Sequence, residues 1–167
     1  MTDPIRLTDR SPEEIALLNP AFMGVVLYHA VRGYEQESQS GMPYPLVFLV
    51  PAVVLMRNTR SLLPRQKNSS LAGWLQDNPR VRLRFADASV SFVPLVREGL
   101  ILAASKRALM LVGDHVHAGN LRRGALASIQ ANTDEFQEIT EKSFFVGRWY
   151  AVSGSTETIM ALWGVRP

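Results

Sequence analysis

Apolar residues recur at helical spacing in the first part of the chain. A short run at residues 11–18 and a longer run at 20–37 each predict a helix. Asn19 lies between them, where its side chain can accept a hydrogen bond from the start of the second helix, and Pro20 suits the first helical position. The second run is apolar on nearly every side until Arg32. We therefore expect this helix to be central in the core.

The last third of the chain predicts two more helices. Thr133 precedes acidic residues and a broad apolar face, which is typical of the start of a long helix. Gly154 is suited to end that helix, and a short final helix is expected to end at Gly164. We expect N-terminal helices at 11–56 and C-terminal helices at 133–164 to pack around the middle of the chain.

The middle of the chain predicts helix, helix and hairpin. A short helix with one apolar stripe is expected to stop at Asn78-Pro79, because the residue before a proline avoids helical geometry. A longer apolar-periodic run follows through Phe85, Val90 and Ile101. The segment ALMLVGDHVHAG then predicts two strands joined by a Gly-Asp turn. This is the order of elements in the second half of a winged helix.

Residues 43–56 leave both helix and strand open. Their prolines argue against one regular helix and their many valines suit strands, but the length also fits two short buried helical turns joined at Val50-Pro51, which we favour. The predicted fold class is therefore mainly α (α+β). We expect a single domain over residues 1–167, with a winged-helix-like part at about 69–118.

Composition narrows the class of protein. The chain is 47% hydrophobic and contains no cysteine, which excludes a disulfide framework, a thiol nucleophile and a Cys-based zinc site. The N-terminal residues lack the apolar core of a signal peptide, and the longest apolar run, at 45–56, is too short to span a bilayer. We expect a soluble, cytoplasmic protein with no membrane partner.

Positive charge is concentrated in the middle of the chain. The formal net charge is +3, yet residues 57–123 hold twelve Lys/Arg and four acidic residues, a local net charge of +8. Such an excess can serve nucleic acid or an acidic protein partner, and its alternative is a solvated surface whose charges happen to cluster.

Arg80, Arg82 and Arg84 are the main functional signal. On a helix they span just over one turn, and on a strand they would share a face. At the start of the longer helix of a winged helix, they would lie where that motif meets DNA. The alternatives are a solvated edge and salt bridges to a partner protein. Four more cations can add phosphate contacts: Arg57, Arg60, Arg65 and Lys67.

Signals for catalysis are weak. Neither a glycine-rich phosphate loop nor a GxSxG elbow occurs, so we predict no catalytic residue, cofactor or metal. His115 and His117, next to Asp114, are candidate metal ligands whose alternative is a solvent-facing wing. His29 is expected to be a core histidine. A carboxylate cluster lies at Asp134, Glu135, Glu138 and Glu141. The helix dipole and solvation explain it, and acid–base chemistry is the alternative.

Several blocks together resemble one protein family. They are EEIALLNPAF, PYPLVFLVPAVVL followed by RNTRSLLP, SLAGWLQDNP, and the closing GRWYAVSGSTETIMALWGVRP. They look like the middle component of bacterial three-component ABC-ATPase systems. Such systems are predicted conflict or anti-phage operons, and they encode an SMC/Rad50-like ATPase, a small middle protein and a further component. The resemblance covers most of the chain, is weakest at 106–132, and is most specific at the C-terminal end.

The resemblance implies a non-enzymatic accessory subunit that bridges the ATPase and an effector, and it brings no catalytic residues. Our first hypothesis is such an adaptor, with DNA contact as an option. The second is a stand-alone winged-helix DNA-binding transcriptional regulator, which would bind a palindromic site as a homodimer. The third is a small metal-dependent enzyme built on Asp114, His115 and His117.

Overall fold

The computed structural model describes residues 19–119 and 133–166, so the helix predicted at 11–18 lies outside the described residues. In this part of the chain, helices predominate and the strands form one small antiparallel sheet, which confirms the predicted mainly α (α+β) class. The helices are α1 Pro20–Ser38, α2 Tyr44–Val47, α3 Val50–Val54, α4 Arg57–Ser61, α5 Leu71–Asp77, α6 Pro79–Ser105, α7 Asp134–Ala151 and α8 Thr156–Trp163. The strands are β1 Met42–Pro43, β2 Leu109–Val112 and β3 His115–Ala118.

Helix α1 is the centre of the fold, as its apolar sequence predicts. It packs most extensively against α7 and next against α6. Two glycines allow the close approach to α7, because a Cβ on Gly33 would overlap the backbone of Phe144 and a Cβ on Gly147 would overlap the carbonyl group of Ala30. The two helix backbones therefore touch directly at these positions.

Local capping sets the helix ends. The side chain of Asn19 accepts a hydrogen bond from Ala21 N at 2.8 Å, and that of Thr133 accepts one from Phe136 N at 3.2 Å. Gly164 ends α8 with a φ of 74°, a left-handed geometry that glycine adopts without strain. The predicted starts of α1 and α7 and the predicted end of α8 are confirmed.

Residues 44–54 form two short helices, as favoured over strand, but a turn at residues 48–49 joins them and the predicted joint at Val50-Pro51 is wrong. Only Met42–Pro43 pairs as a strand, and α2 and α3 follow it. Each of these helices carries a proline in its first turn, where the missing N–H would have no helical partner. Every residue of α3 is buried, which accounts for the apolar sequence.

The predicted hairpin is present and is joined by a third strand. In the sheet order β1-β3-β2, Leu111 on β2 pairs with Val116 on β3, and Met42 on β1 pairs with Val116 from the other side. The chain order α5, α6, hairpin agrees with the expected order of elements. The winged-helix arrangement itself, and the division into a central part and flanking helices, stay predictions.

The aromatic core joins the middle of the chain to its C-terminal helices. The ring of Trp163 on α8 stacks on Phe85 of α6, with 3.8 Å between ring centroids. Trp74 of α5 meets both Trp149 and Trp163 edge to face. The C-terminal helix therefore closes the core, and these tryptophans serve packing as expected.

Helix α6 buries only part of its apolar-periodic run. It buries Phe85 and Val96, but Val90 and Ile101 are 69% and 71% exposed. The apolar periodicity correctly predicts a helix. It does not show that the apolar residues lie on two sides of the helix, one buried and one exposed. By length and composition alone, α6 is also the one described helix that could cross a bilayer.

Candidate functional site

The start of α6 is built by a tight junction with α5. Ser70 caps α5 by accepting a hydrogen bond from Gly73 N at 3.2 Å. Asn78 ends α5, with its N–H donating to Trp74 O, and also begins α6, with its carbonyl accepting from Val81 N at 3.1 Å. A single residue therefore connects the two helices.

Arg80, Arg82 and Arg84 are all exposed in these first turns. Because the segment is helical, Arg80 and Arg84 lie one turn apart on one side, while Arg82 points away from them. Arg82 lines a hollow between α5, α6 and α8, close to Gly164 at the end of α8. A cation suits that position, because a helix C-terminus carries partial negative charge. The three arginines therefore present two separate surfaces.

The four other candidate cations have different surroundings. Arg57 and Arg65 are exposed, and neither forms an ion pair with another residue of the described ranges. Lys67 is half-buried and pairs with Glu37. Arg60 is buried. The contacts predicted for Arg57 and Arg65 therefore stay predictions.

Arg60 was a candidate for a phosphate contact, and its burial contradicts that prediction. Its side chain is only 2% exposed, and its Nη1 donates to the carbonyl of Val54 at 2.8 Å. Its Nη2 donates to Glu135 Oε1 at 3.0 Å, and its Nε lies 3.4 Å from Glu138 Oε1. The guanidinium ties the end of α3 to the first turns of α7. Glu135 and Glu138 therefore serve this ion pair as well as the helix dipole.

Glu37 joins three segments of the chain. It pairs with Lys67 in the loop before α5 and accepts from Arg148 Nε on α7 at 2.7 Å. The hydrogen bonds from Lys67 and Arg148 hold the pKa of Glu37 below its ordinary value of 4.5. Lys67 is thus engaged within the domain, and the sequence did not reveal this cluster because its members are far apart along the chain.

The two hairpin histidines meet different carboxylates. His115 Nδ1 lies 2.7 Å from Asp114 Oδ1, and this hydrogen bond lowers the pKa of Asp114. His117 Nδ1 lies 3.3 Å from Glu35 Oε1 on α1. Within residues 19–119 and 133–166, no cluster of three or more His, Asp or Glu residues could hold a metal ion.

His29 is half-buried on α1 rather than enclosed in the core. Burial, and next the charge of Arg32, lower its pKa, which favours the neutral ring. Its ring lies edge-on to that of Tyr28, with 5.7 Å between centroids.

A second exposed surface runs along α6 and was not foreseen. Seven exposed residues follow one another at alternate gaps of four and three, which places them on one line along the helix. We call this line the α6 seam: Leu83, Asp87, Val90, Pro94, Arg97, Ile101 and Ala104. The sequence signal was available in the spacing, but it does not by itself separate a buried stripe from an exposed one.

A groove lies beside the C-terminal half of the α6 seam. It has a volume of about 310 Å³ and is lined mainly by apolar side chains of α6 and of the hairpin. Its lining includes Arg97, Ile101 and Ala104 of α6 and Met110 and Leu111 of the edge strand β2. We call it the hairpin groove.

Comparison with known proteins agrees with the resemblance. The sequence model of one family, described as ABC-three component (ABC-3C) system Middle Component 3, matches residues 7–167. No curated protein and no solved structure matches the chain. Since the match spans nearly the whole chain, this protein belongs to the Middle Component 3 family of ABC three-component systems.

Proposed function

We propose that this middle component is a non-enzymatic adaptor that connects an SMC/Rad50-like ABC ATPase to an effector encoded in the same bacterial defence operon, with DNA as a further ligand. Family membership carries the proposal, because a middle component is by its name one part of a multi-subunit system. We also propose that it acts in the cytoplasm.

The exposed arginines support a role in binding. Arg57, Arg65, Arg80, Arg82 and Arg84 form no ion pair with any residue that the structure describes. An adaptor needs more than one contact surface, and the α6 arginines point in two directions from one rigid helix. Their planar, permanently charged heads suit carboxylates of a protein or phosphates of DNA.

The test is co-purification with the ATPase of the same operon. The full chain is co-expressed with that ATPase and captured with and without DNA at two salt concentrations. A stable complex without DNA supports the adaptor. Binding to DNA alone, with affinity falling steeply as salt rises, would instead favour the stand-alone DNA-binding regulator. A chain that binds neither would overturn both functions.

A matched pair of variants locates the contact. Arg80→Ala/Arg82→Ala removes two exposed charges at the start of α6, and Lys106→Ala/Arg107→Ala removes two exposed charges just beyond its end. Only the first variant is expected to weaken capture. If the contact is with DNA phosphates, each lost arginine lowers the salt slope by about 1. Equal loss in both variants would indicate a general effect of charge.

A further inference from the structure

We infer that the α6 seam is a self-complementary surface on which two copies of this chain associate antiparallel, about a two-fold axis at the level of Phe92. This inference concerns the oligomeric state and does not depend on the proposed adaptor function.

The α6 seam exposes three large apolar side chains to solvent. Leu83 is 80% exposed, and Val90 and Ile101 are nearly as open, although all three lie on one line of the same helix. Exposed apolar residues aligned on one helix face, with Asp87 and Arg97 between them, suit a contact with another protein surface. The alternate gaps of four and three are the spacing with which one helix packs along another.

The order of residues along the seam selects the second copy as the partner. In an antiparallel pair centred at Phe92, Leu83 meets Ile101 of the second copy and Val90 meets Pro94. In the same register, the Asp87 carboxylate meets the Arg97 guanidinium of the second copy. Because the axis repeats each contact, every position of the seam from 83 to 101 meets a residue of matching chemistry.

The flanks of the seam obey the same register. Beside the central line, Arg84 of one copy comes opposite Glu98 of the other, which adds a second pair of opposite charges. On the other flank, Val93 meets Val93 of the second copy. Arg84 thus serves the contact between copies in this arrangement, which leaves Arg80 and Arg82 for the ligands of the proposed function.

Other helix arrangements lose these pairs. A parallel pair sets Asp87 against Asp87 and Arg97 against Arg97, and like charges at an interface are unfavourable. Sliding the antiparallel pair by one heptad separates Asp87 from Arg97 and, in one direction, brings Arg80 against Arg97. One register therefore satisfies both the apolar and the charged positions.

The hairpin groove supplies a receptor for the most exposed side chain. It is bounded by Ile101 and Leu111, so it lies where Leu83 of the second copy arrives in this register. The chain thus carries both a protruding apolar side chain and a hollow to receive it. A protrusion and its hollow on the same molecule, related by a two-fold axis, form a closed isologous dimer and not an open filament.

Charge reversal tests the contact. Sedimentation of the full chain should show a dimer, and Asp87→Arg or Arg97→Asp should each weaken it on the order of tenfold, because two attractive pairs become repulsive. An equimolar mixture of the two variants should recover the dimer, since each supplies the charge that the other needs. Asp77→Arg, an equal change on the exposed end of α5, is the control and should leave dimerisation unchanged.

Single cysteines test whether the two α6 helices run antiparallel. The chain contains no other cysteine, so any cross-link forms at the introduced residue. Ser91→Cys places two thiols about 3 Å apart along the axis of an antiparallel pair, so it should cross-link. Ser105→Cys lies on the same side of α6 but places them about 40 Å apart, so it should not. Cross-linking at both positions means a parallel pair and overturns the inference. So does a monomer at every concentration, or a dimer indifferent to Asp87→Arg.

Discussion

The two long helices that flank α1 use their apolar residues in opposite ways. Helix α7 buries its large residues, including Trp149 and Tyr150, against the rest of the fold. Helix α6 buries small residues such as Ser89, Gly99 and Ala103 beside Phe85 and Val96, and it leaves three large aliphatic residues, Leu83, Val90 and Ile101, in solvent. Both helices have amphipathic sequences. The difference shows that an apolar stripe indicates a contact without saying whether the contact is within one molecule.

The largest expected effect on stability is at a buried residue of the aromatic core. Trp163→Ala removes a fully buried ring that stacks on Phe85, so it should lower the free energy of unfolding by about 3–5 kcal/mol. Leu83→Ala, on the exposed seam, should change it by less than about 0.5 kcal/mol at dilutions where the chain is monomeric. Urea unfolding measures both. Similar losses for the two variants would contradict the division into a packed side and an open side.

Close approach of helix backbones is the next point to test. Gly147→Ala places a methyl group against the Ala30 carbonyl, so α1 and α7 must separate and the free energy of unfolding should fall by about 3 kcal/mol. Gly73→Ala in α5 is the matched control, because its new methyl meets only ordinary contacts at 3.6 Å. That variant should gain about 0.5–1 kcal/mol from helix propensity. Thermal unfolding of the pair gives the sign of each change.

A substitution of the buried Arg60 tests how strongly its side chain stabilises the contact of α3 and α4 with α7. Arg60→Ala removes a charged donor to the Val54 carbonyl and to Glu135, so we expect a loss of about 2 kcal/mol. Arg57→Ala, one turn earlier and exposed, should cost less than about 0.5 kcal/mol. Equal costs in urea unfolding would show that Arg60 is not engaged as described.

The smallest expected effect is a pH dependence. Folding lowers the pKa of Glu37 below its ordinary 4.5, so its ion pairs contribute stability above that value and lose it as the pH falls through the folded pKa. Glu37→Gln should therefore flatten the decline of stability at acidic pH. Glu141→Gln, which removes one exposed carboxylate of α7, is the matched control. Thermal unfolding from neutral to acidic pH compares the three proteins, and an unaltered slope in Glu37→Gln would exclude this contribution.

Some of the fold was predictable from the sequence because its causes are short in range. Asn19, Thr133 and Ser155 each accept a hydrogen bond from a backbone N–H two or three residues ahead, and such caps can be recognised in any amphipathic run. The prolines of residues 44–54 were harder to interpret from the sequence, because prolines break a long helix yet suit the first turns of two short helices. The three candidate arginines at 80–84 lie in the first turns of α6, whereas Arg60, a candidate for a phosphate contact, is buried.

By itself, the sequence determined which segments are helices or hairpin, where several of them begin and end, and which family the chain resembles. Tertiary structure decided which charges and apolar residues remain open to partners. Arg60 meets Glu135 across 75 residues, and Arg148 meets Glu37 across 111. No local pattern encodes such pairs, because the first exists only once α4 lies against α7 and the second only once α1 does. For the same reason, only the fold shows that the apolar line of α6 faces outward.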